Sequence, residues 1–143
     1  MFRGNHPAKV DEKGRLKLPS AFKQLTDAQN VTQFYITSLD GKSAQIWPLP
    51  AWEEFEKKLG DNIQDEQVET YVDWTSYYGQ QVEIDNQSRI TLPQLLREDA
   101  QLTAEVAVIG KLKYVEVKND AMVKERMASR PVTSEIRQRV ANL

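Results

Sequence analysis

The sequence predicts a mainly β protein with short peripheral helices, and three observations carry that prediction. A ten-residue phrase occurs twice, at residues 10–19 and 84–93. Each copy reads apolar, Asp, three small or polar residues, Arg, then apolar-x-Leu-Pro. The copies stand 74 residues apart in a chain of 143, so one unit is spelled twice. Around and after each copy come short strand-like runs separated by Gly, Pro and Asp turn signals.

Lys9-Val10 and Leu16-Lys17-Leu18 alternate in polarity, as half-buried strands do. Residues 11–14 between them form a turn. Asp11 can accept hydrogen bonds from the turn's own N–H groups, and Gly14 is free to take positive φ. Pro19 holds Leu18 extended and opens a short helix, with Phe22 and Leu25 three apart on one face. The exposed tip of this stiff hairpin carries Lys13 and Arg15. Residues 33–37 read as a strand, Asp40-Gly41 as a hairpin turn and 44–47 as the returning strand, stopped by Pro48 and Pro50. A helix over 51–59 puts Trp52, Phe55 and Leu59 on one face. Glu53 and Glu54 lie in its first turn, Lys57 and Lys58 in its last, and Gly60 follows as a C-terminal cap.

The second half repeats the order. Pro93 opens a helix with Leu96 in Phe22's place and Arg97 in Lys23's. Asp27-Ala28-Gln29 recurs as Asp99-Ala100-Gln101, now 72 residues apart, which implies a two-residue insertion in the first half. Strands are predicted over 105–109 and 113–117, and Asp120 is placed to cap a helix with Val123 and Met127 on one face. Halves of about 65–70 residues are too small to fold well alone, so a shared core is expected. The organisation is a first repeat over 1–60, a helical connector over 61–80, a second repeat over 81–130 and a C-terminal tail over 131–143. In the connector, Val68, Tyr71, Val72, Thr75 and Tyr78 fit a helical stripe, with Trp74 and Tyr77 adding aromatic weight; such a stripe is expected to be packing. Residues 134–141 are either a terminal helix with exposed Arg137 and Arg139 or loose chain.

A composition of 40% hydrophobic and 28% charged residues is that of an ordinary soluble globular protein. The absence of cysteine excludes disulfides, zinc ribbons and thiol catalysis. A single histidine, His6, excludes a multi-histidine metal site within one chain, and no cofactor is expected. His6 is expected to be exposed or locally bonded, or else to touch phosphate. No stretch near the N-terminus suits a signal peptide, and the longest strongly apolar run, 106–109, is far too short for a bilayer. A cytoplasmic protein is expected, with no membrane partner. Asp11 and Asp85 could pair for acid–base chemistry, yet no nucleophile, second histidine or glycine-rich phosphate loop accompanies them. No enzyme activity is therefore expected and no catalytic residue is assigned.

The net charge of −2 hides an asymmetry. Residues 1–23 carry six cations against two carboxylates, a net of +4, which leaves −6 on the other 120 residues. No Lys or Arg occurs between Lys58 and Arg89. A basic end on an acidic body is the footprint of a localised anion-binding surface, or else ordinary solvated charge.

Met1-Phe2-Arg3-Gly4, then Asp11-x-Lys13-Gly14-Arg15-Leu16-x-Leu18-Pro19 with Phe22, resembles the MraZ family. So do the Trp52-Glu53 segment that follows the prolines and the second Asp85-x-x-x-Arg89-Ile90-x-Leu92-Pro93. The resemblance covers nearly the full length. It implies two tandem AbrB/SpoVT-like repeats, each a swapped-hairpin β-barrel unit, paired within one chain as an intrachain pseudo-dimer. It implies further assembly into homo-oligomeric rings and a cytoplasmic, nucleoid-associated transcription regulator of the bacterial cell division and cell-wall gene cluster. Its partner would be double-stranded DNA bearing tandem promoter repeats. Arg15 and Arg89 match the family's D-x-x-x-R loops and become the first candidates for DNA contact, with Lys13, Lys9 and Arg3 suited to phosphates. Asp11, Gly14 and Asp85 are assigned to structuring the turns. An ion pair of each arginine with its aspartate that merely pins the turn is the competing role, and the two can coexist. Ser88 stands where the family usually has glycine, which leaves the second turn free to take another shape. Asn86 and Gln87 leave Arg89 as that loop's only cation, so the first loop is expected to contribute more to DNA affinity. The alternative function is a ring-forming interaction scaffold without sequence-specific DNA binding.

Overall fold

Each copy of the repeated phrase folds as strand, turn, strand and short helix, and each is followed by a hairpin and a second helix. The computed structural model describes residues 1–143. The first half comprises β1 (Asn5–Val10), β2 (Arg15–Lys17), α1 (Ser20–Ala28), β3 (Gln33–Thr37), β4 (Ala44–Pro48) and α2 (Leu49–Asp61). After α3 (Glu66–Tyr77), the second half comprises β5 (Gln80–Glu83), β6 (Arg89–Thr91), α4 (Gln94–Asp99), β7 (Ala104–Gly110), β8 (Val115–Asn119) and α5 (Asp120–Ser129). The chain ends with α6 (Ser134–Ala141). No helix is long and apolar enough to cross a membrane.

The eight strands form one antiparallel sheet in the order β5-β3-β4-β8-β7-β1-β2-β6. Its end strands, β5 and β6, are consecutive in the chain. Asp85 N donates to Arg89 O across their turn (2.9 Å), so the sheet is a nearly closed barrel. β1 pairs with β7 over six residues, and β5 pairs with β3 over four. Each half therefore places its first strand against the hairpin of the other. Two short ladders join equivalent strands. β2 meets β6 with Leu16 opposite Ile90, the same position of the two copies, and β4 meets β8 with Gln45 opposite Glu116. The fold thus has an internal two-fold pattern centred on these two ladders.

Alternation decides which side chains enter the barrel. Leu16, Leu18, Phe34, Ile36, Ile46, Ile90, Leu92, Val106, Val108, Val115 and Val117 are all buried, and Phe22 and Leu96 close the barrel from α1 and α4. One cluster of 20 buried residues draws on both halves. Outside the sheet, Tyr35 stacks on Trp52 of α2 (4.6 Å between centroids) and Trp47 stacks on Tyr114 (4.6 Å). Phe55 of α2 meets Tyr71 of α3 at 5.8 Å. Tyr35 Oη and Thr37 Oγ1 both donate to Thr75 O, at 2.9 and 2.7 Å, which latches α3 to β3. Tyr71, Thr75 and Tyr78 of the connector stripe pack, whereas Trp74 and Tyr77 stay exposed.

Several boundaries differ from the sequence expectation. Gly60 does not cap its helix: α2 runs on to Asp61, with Asn62 as the cap residue and its side chain donating to Lys58 O (2.9 Å). That amide satisfies a terminal carbonyl, so no left-handed glycine is needed. α5 is capped by Asn119, whose Oδ1 accepts from Ala121 N (3.0 Å) and Met122 N (3.4 Å), while Asp120 sits in the first turn. β8 begins at Val115 because Leu112 (φ +68°) and a Lys113 N to Lys111 O bond bend the chain there. The inserted residues are distributed in two steps. α1 has nine residues and α4 six, yet the strand registers Phe34–Val82 and Ala8–Val106 keep the offset at 72. An extra residue at Ala104, held at φ +53°, returns one of the three. The tail is helical, and all of residues 130–143 are exposed.

Leu16→Ala removes a fully buried side chain at the centre of the β2–β6 ladder. It should cost about 2–5 kcal/mol, and Ile90→Ala should cost a similar amount because the two positions are equivalent. Urea unfolding followed by circular dichroism measures both; a loss at only one site would deny the internal two-fold pattern.

Candidate nucleic-acid interface

The two D-x-x-x-R turns have one shape. In the first, Asp11 Oδ1 accepts from Lys13 N (3.0 Å) and Arg15 N (2.8 Å), and Oδ2 accepts from Arg15 Nε (2.7 Å). In the second, Asp85 Oδ1 accepts from Gln87 N and Arg89 N, and Oδ2 from Arg89 Nε, all at 2.9 Å. The backbone closes alike, with Gly14 N donating to Asp11 O (2.9 Å) and Ser88 N to Asp85 O (3.0 Å). Ser88 accordingly does not reshape its turn; it adopts φ +61° where Gly14 has φ +80°. The hydrogen-bonded frame fixes the conformation, and serine bears the left-handed backbone at a cost of about 1–2 kcal/mol.

Both aspartates hold their carboxyls below the ordinary value of 3.8. The main cause is the arginine backbone N–H bonded to the ionised oxygen, with the guanidinium adding to it and partial desolvation opposing it. Each arginine spends only Nε on its aspartate; its two terminal nitrogens make no hydrogen bond within the protein. The side chains of Arg15 and Arg89 remain 30% and 26% exposed.

Strand register brings the two arginines together. Arg15 stands opposite Thr91, and Lys17 opposite Arg89. Leu16 and Ile90 point into the barrel, so Arg15, Lys17, Arg89 and Thr91 share the outer face of one ladder. Arg15 and Arg89 are diagonal neighbours on it, about 7–8 Å apart by ordinary sheet geometry. Each turn also bonds to the other strand, with Leu92 N donating to Gly14 O (2.8 Å) and Leu18 N to Ser88 O (2.9 Å). Lys13 is exposed at the tip of the first turn. Lys9 lies on β1 opposite Glu105, with Nζ 3.5 Å from Oε1, an exposed pair of little energetic weight. Arg3 is not brought to the patch. It precedes Asn5, at the end of β1 remote from the turn. His6 is neither fully exposed nor in a loop; it is half-buried in β1, its ring edge-on to Phe22 at 4.7 Å.

Two residues of the patch carried no role in the sequence reading. Lys17 faces Arg89 only because of the β2–β6 register, which motif spacing does not reveal. Arg97 lies against Gly14, where an added Cβ would fall 2.4 Å from its Cζ, and its Nε is buried without a partner. Its equivalence to Lys23 was legible, but Lys23 pairs with Asp27 whereas Arg97 has no acidic partner. No group of three His, Asp or Glu side chains is arranged to hold a metal ion.

The turn chemistry has consequences for stability. The aspartates' contribution is complete above the unfolded value near 3.8 and lost as pH falls through the lowered folded value. An Asp11→Asn/Asp85→Asn double variant should therefore show a flatter dependence of unfolding free energy on pH over about pH 2–6. An unchanged slope would sever the turns from acid sensitivity. Gly14→Ala should destabilise through both its positive φ and the guanidinium in its path, whereas Ser88→Gly should be neutral or stabilising by up to about 1 kcal/mol. Thermal unfolding of the pair measures that contrast.

Comparison with known proteins places this geometry in a family. Residues 1–73 and 79–121 match the family model described as "MraZ protein, putative antitoxin-like". A protein of Acidobacterium capsulatum named transcriptional regulator MraZ is 50% identical over 143 residues, covering 99% of this chain and 97% of its own length. Proteins of the same name from Koribacter versatilis and Serratia proteamaculans are 43% and 31% identical, covering 100% and 82% of this chain and 99% and 78% of their own lengths. With its doubled turn and a match over almost its whole length, the chain belongs to the MraZ family.

Proposed function

We propose that the protein is a sequence-specific, DNA-binding transcriptional regulator of the bacterial division and cell-wall gene cluster, binding tandem promoter repeats as an oligomeric ring. Its family consists of transcriptional regulators rather than enzymes, which supports the first part of this reading. One structural observation supports DNA recognition: each aspartate occupies Nε alone, leaving both terminal nitrogens of Arg15 and Arg89 unpaired on one face. A guanidinium held at its base and free at its end suits the N7 and O6 of guanine, a contact giving about 1–3 kcal/mol of discrimination. Ion pairing and base reading then cooperate, because the aspartate orients the group that reads.

Lys13, Lys9 and Lys17 suit phosphates, which set orientation without reading sequence. Arg3 reaches DNA only if the duplex extends along β1. Lys17 supplies beside Arg89 the cation that the second loop lacks, so we expect the two turns to contribute comparably, in place of the larger share that the sequence alone assigns to the first. Arg97 backs the first turn and holds Gly14 in place. The exchanged first strands support reading the halves as swapped-hairpin, AbrB-like units that form an intrachain pseudo-dimer. One patch of three or four cations gives modest affinity at physiological salt; several copies acting on spaced DNA repeats multiply it. Such a regulator works in the cytoplasm, at the nucleoid.

Fluorescence anisotropy against the DNA upstream of the protein's own gene, with a scrambled duplex as control, tests the reading. Arg15→Ala and Arg89→Ala should each weaken binding by about 5- to 150-fold and shrink the preference for native sequence. Lys17→Ala should weaken both duplexes alike and reduce the slope of log affinity against log salt by about 0.9 for each copy engaged on the DNA. Equal binding of native and scrambled DNA by the unaltered protein would refute sequence recognition. No binding to either by an intact oligomer would favour the interaction scaffold.

A further inference from the structure

The C-terminal helix has an apolar face and nothing to bury it against. Ile136 and Val140 stand one turn apart on one face of α6, and Val132 and Leu143 lie just beyond its two ends. All four are exposed, Ile136 at 48% and Val140 at 60%. An eight-residue helix falls short of the roughly 12–15 residues that isolated helices need in water, so its stability must come from packing.

Two apolar hollows on the body are roomy enough to receive the two side chains, a third beside Tyr35 and Trp52 being only about 130 Å³. One is a groove of about 580 Å³ beside Phe2, Trp47 and Phe55, whose rim carries Lys58 and Lys113 as well as Glu54. The other is a shallow hollow of about 460 Å³ on the C-terminal turn of α3, formed by Asp73, Trp74, Tyr77 and Tyr78, where Tyr77 is 65% exposed. Charge separates them. α3 carries Glu66, Glu69 and Asp73 and no cation, while the tail carries Arg137 and Arg139 against Glu135 alone, with Arg130 just before it. The tail arginines would meet lysines at the first surface and carboxylates at the second.

We propose that α6 of one chain docks its Ile136–Val140 face on the Trp74–Tyr77 surface of a second copy, with Arg137 and Arg139 facing the acids of α3. Tip and socket are different surfaces, so the contact is head-to-tail, and repetition closes a ring or extends a filament. The contact supplies the assembly that the proposed function needs, and rests on that reading only for what assembly is for.

The chain's lack of cysteine gives the test a clean background. Full-length Tyr77→Cys and Ile136→Cys variants, co-expressed and oxidised, should form a disulfide-linked heterodimer that neither forms alone, because bonding needs Cα atoms within about 7 Å. Absence of that heterodimer, or equal yield with Lys113→Cys as partner at the other groove, overturns the proposal. In parallel, Ile136→Glu/Val140→Glu should reduce the mass seen by light scattering, without DNA, to that of a monomer. Its circular dichroism should keep the sheet signal, since neither side chain is in the core. An unchanged mass also overturns the proposal. Because both readouts omit DNA, failure of DNA binding with an intact α6–α3 contact would count against the regulator reading alone.

Discussion

Pairing of each half's first strand with the hairpin of the other half is the constraint on which the rest of the structure depends. β2 and β6 have three residues each, and a ladder that short has no stability by itself. It persists because β1 is pinned along six residues to β7, and β5 along four to β3, so the strands entering both turns are anchored in the opposite hairpin. The halves then cannot separate without opening the sheet. A core of 20 residues drawn from both sides follows from that pairing.

On this frame each turn is held by one carboxylate doing two jobs. Oδ1 ties down the backbone of the turn and Oδ2 ties down the arginine that ends it, so loop shape and side-chain aim are a single hydrogen-bonded unit. The same unit tolerates glycine at one copy and serine at the other, because three bonds to the aspartate outweigh the strain of a left-handed serine. The requirement for glycine is stricter in the first turn, where Arg97 occupies the space a side chain would need.

Charge is divided in the same spirit. Cations gather at the β2–β6 face, while α3 is acidic and carries two exposed aromatic rings. An acidic body limits indiscriminate attraction to polyanions and leaves the basic face as the surface most favourable to an anion. It also gives the basic, apolar-striped tail a surface of opposite sign.

Much of this was legible in the sequence by itself. Doubling of the Asp-x-x-x-Arg phrase, alternation in the flanking strands and the prolines that open α1 and α4 are local signals, and local signals determined the two turns, the strand-rich architecture and Asp11, Gly14, Asp85, Arg15 and Arg89 as the residues to watch. Capping was misread at Gly60 and Asp120 because neighbouring Asn62 and Asn119 compete for the same backbone groups, and only the final chain path chooses between them. What tertiary structure alone decided is who faces whom. Lys17 beside Arg89, Arg97 over Gly14, Arg3 away from the patch and Trp74 and Tyr77 left uncovered all follow from strand register and helix docking. Those are set by long-range packing across the two halves, where residues distant in sequence meet, and no spacing within one strand encodes them.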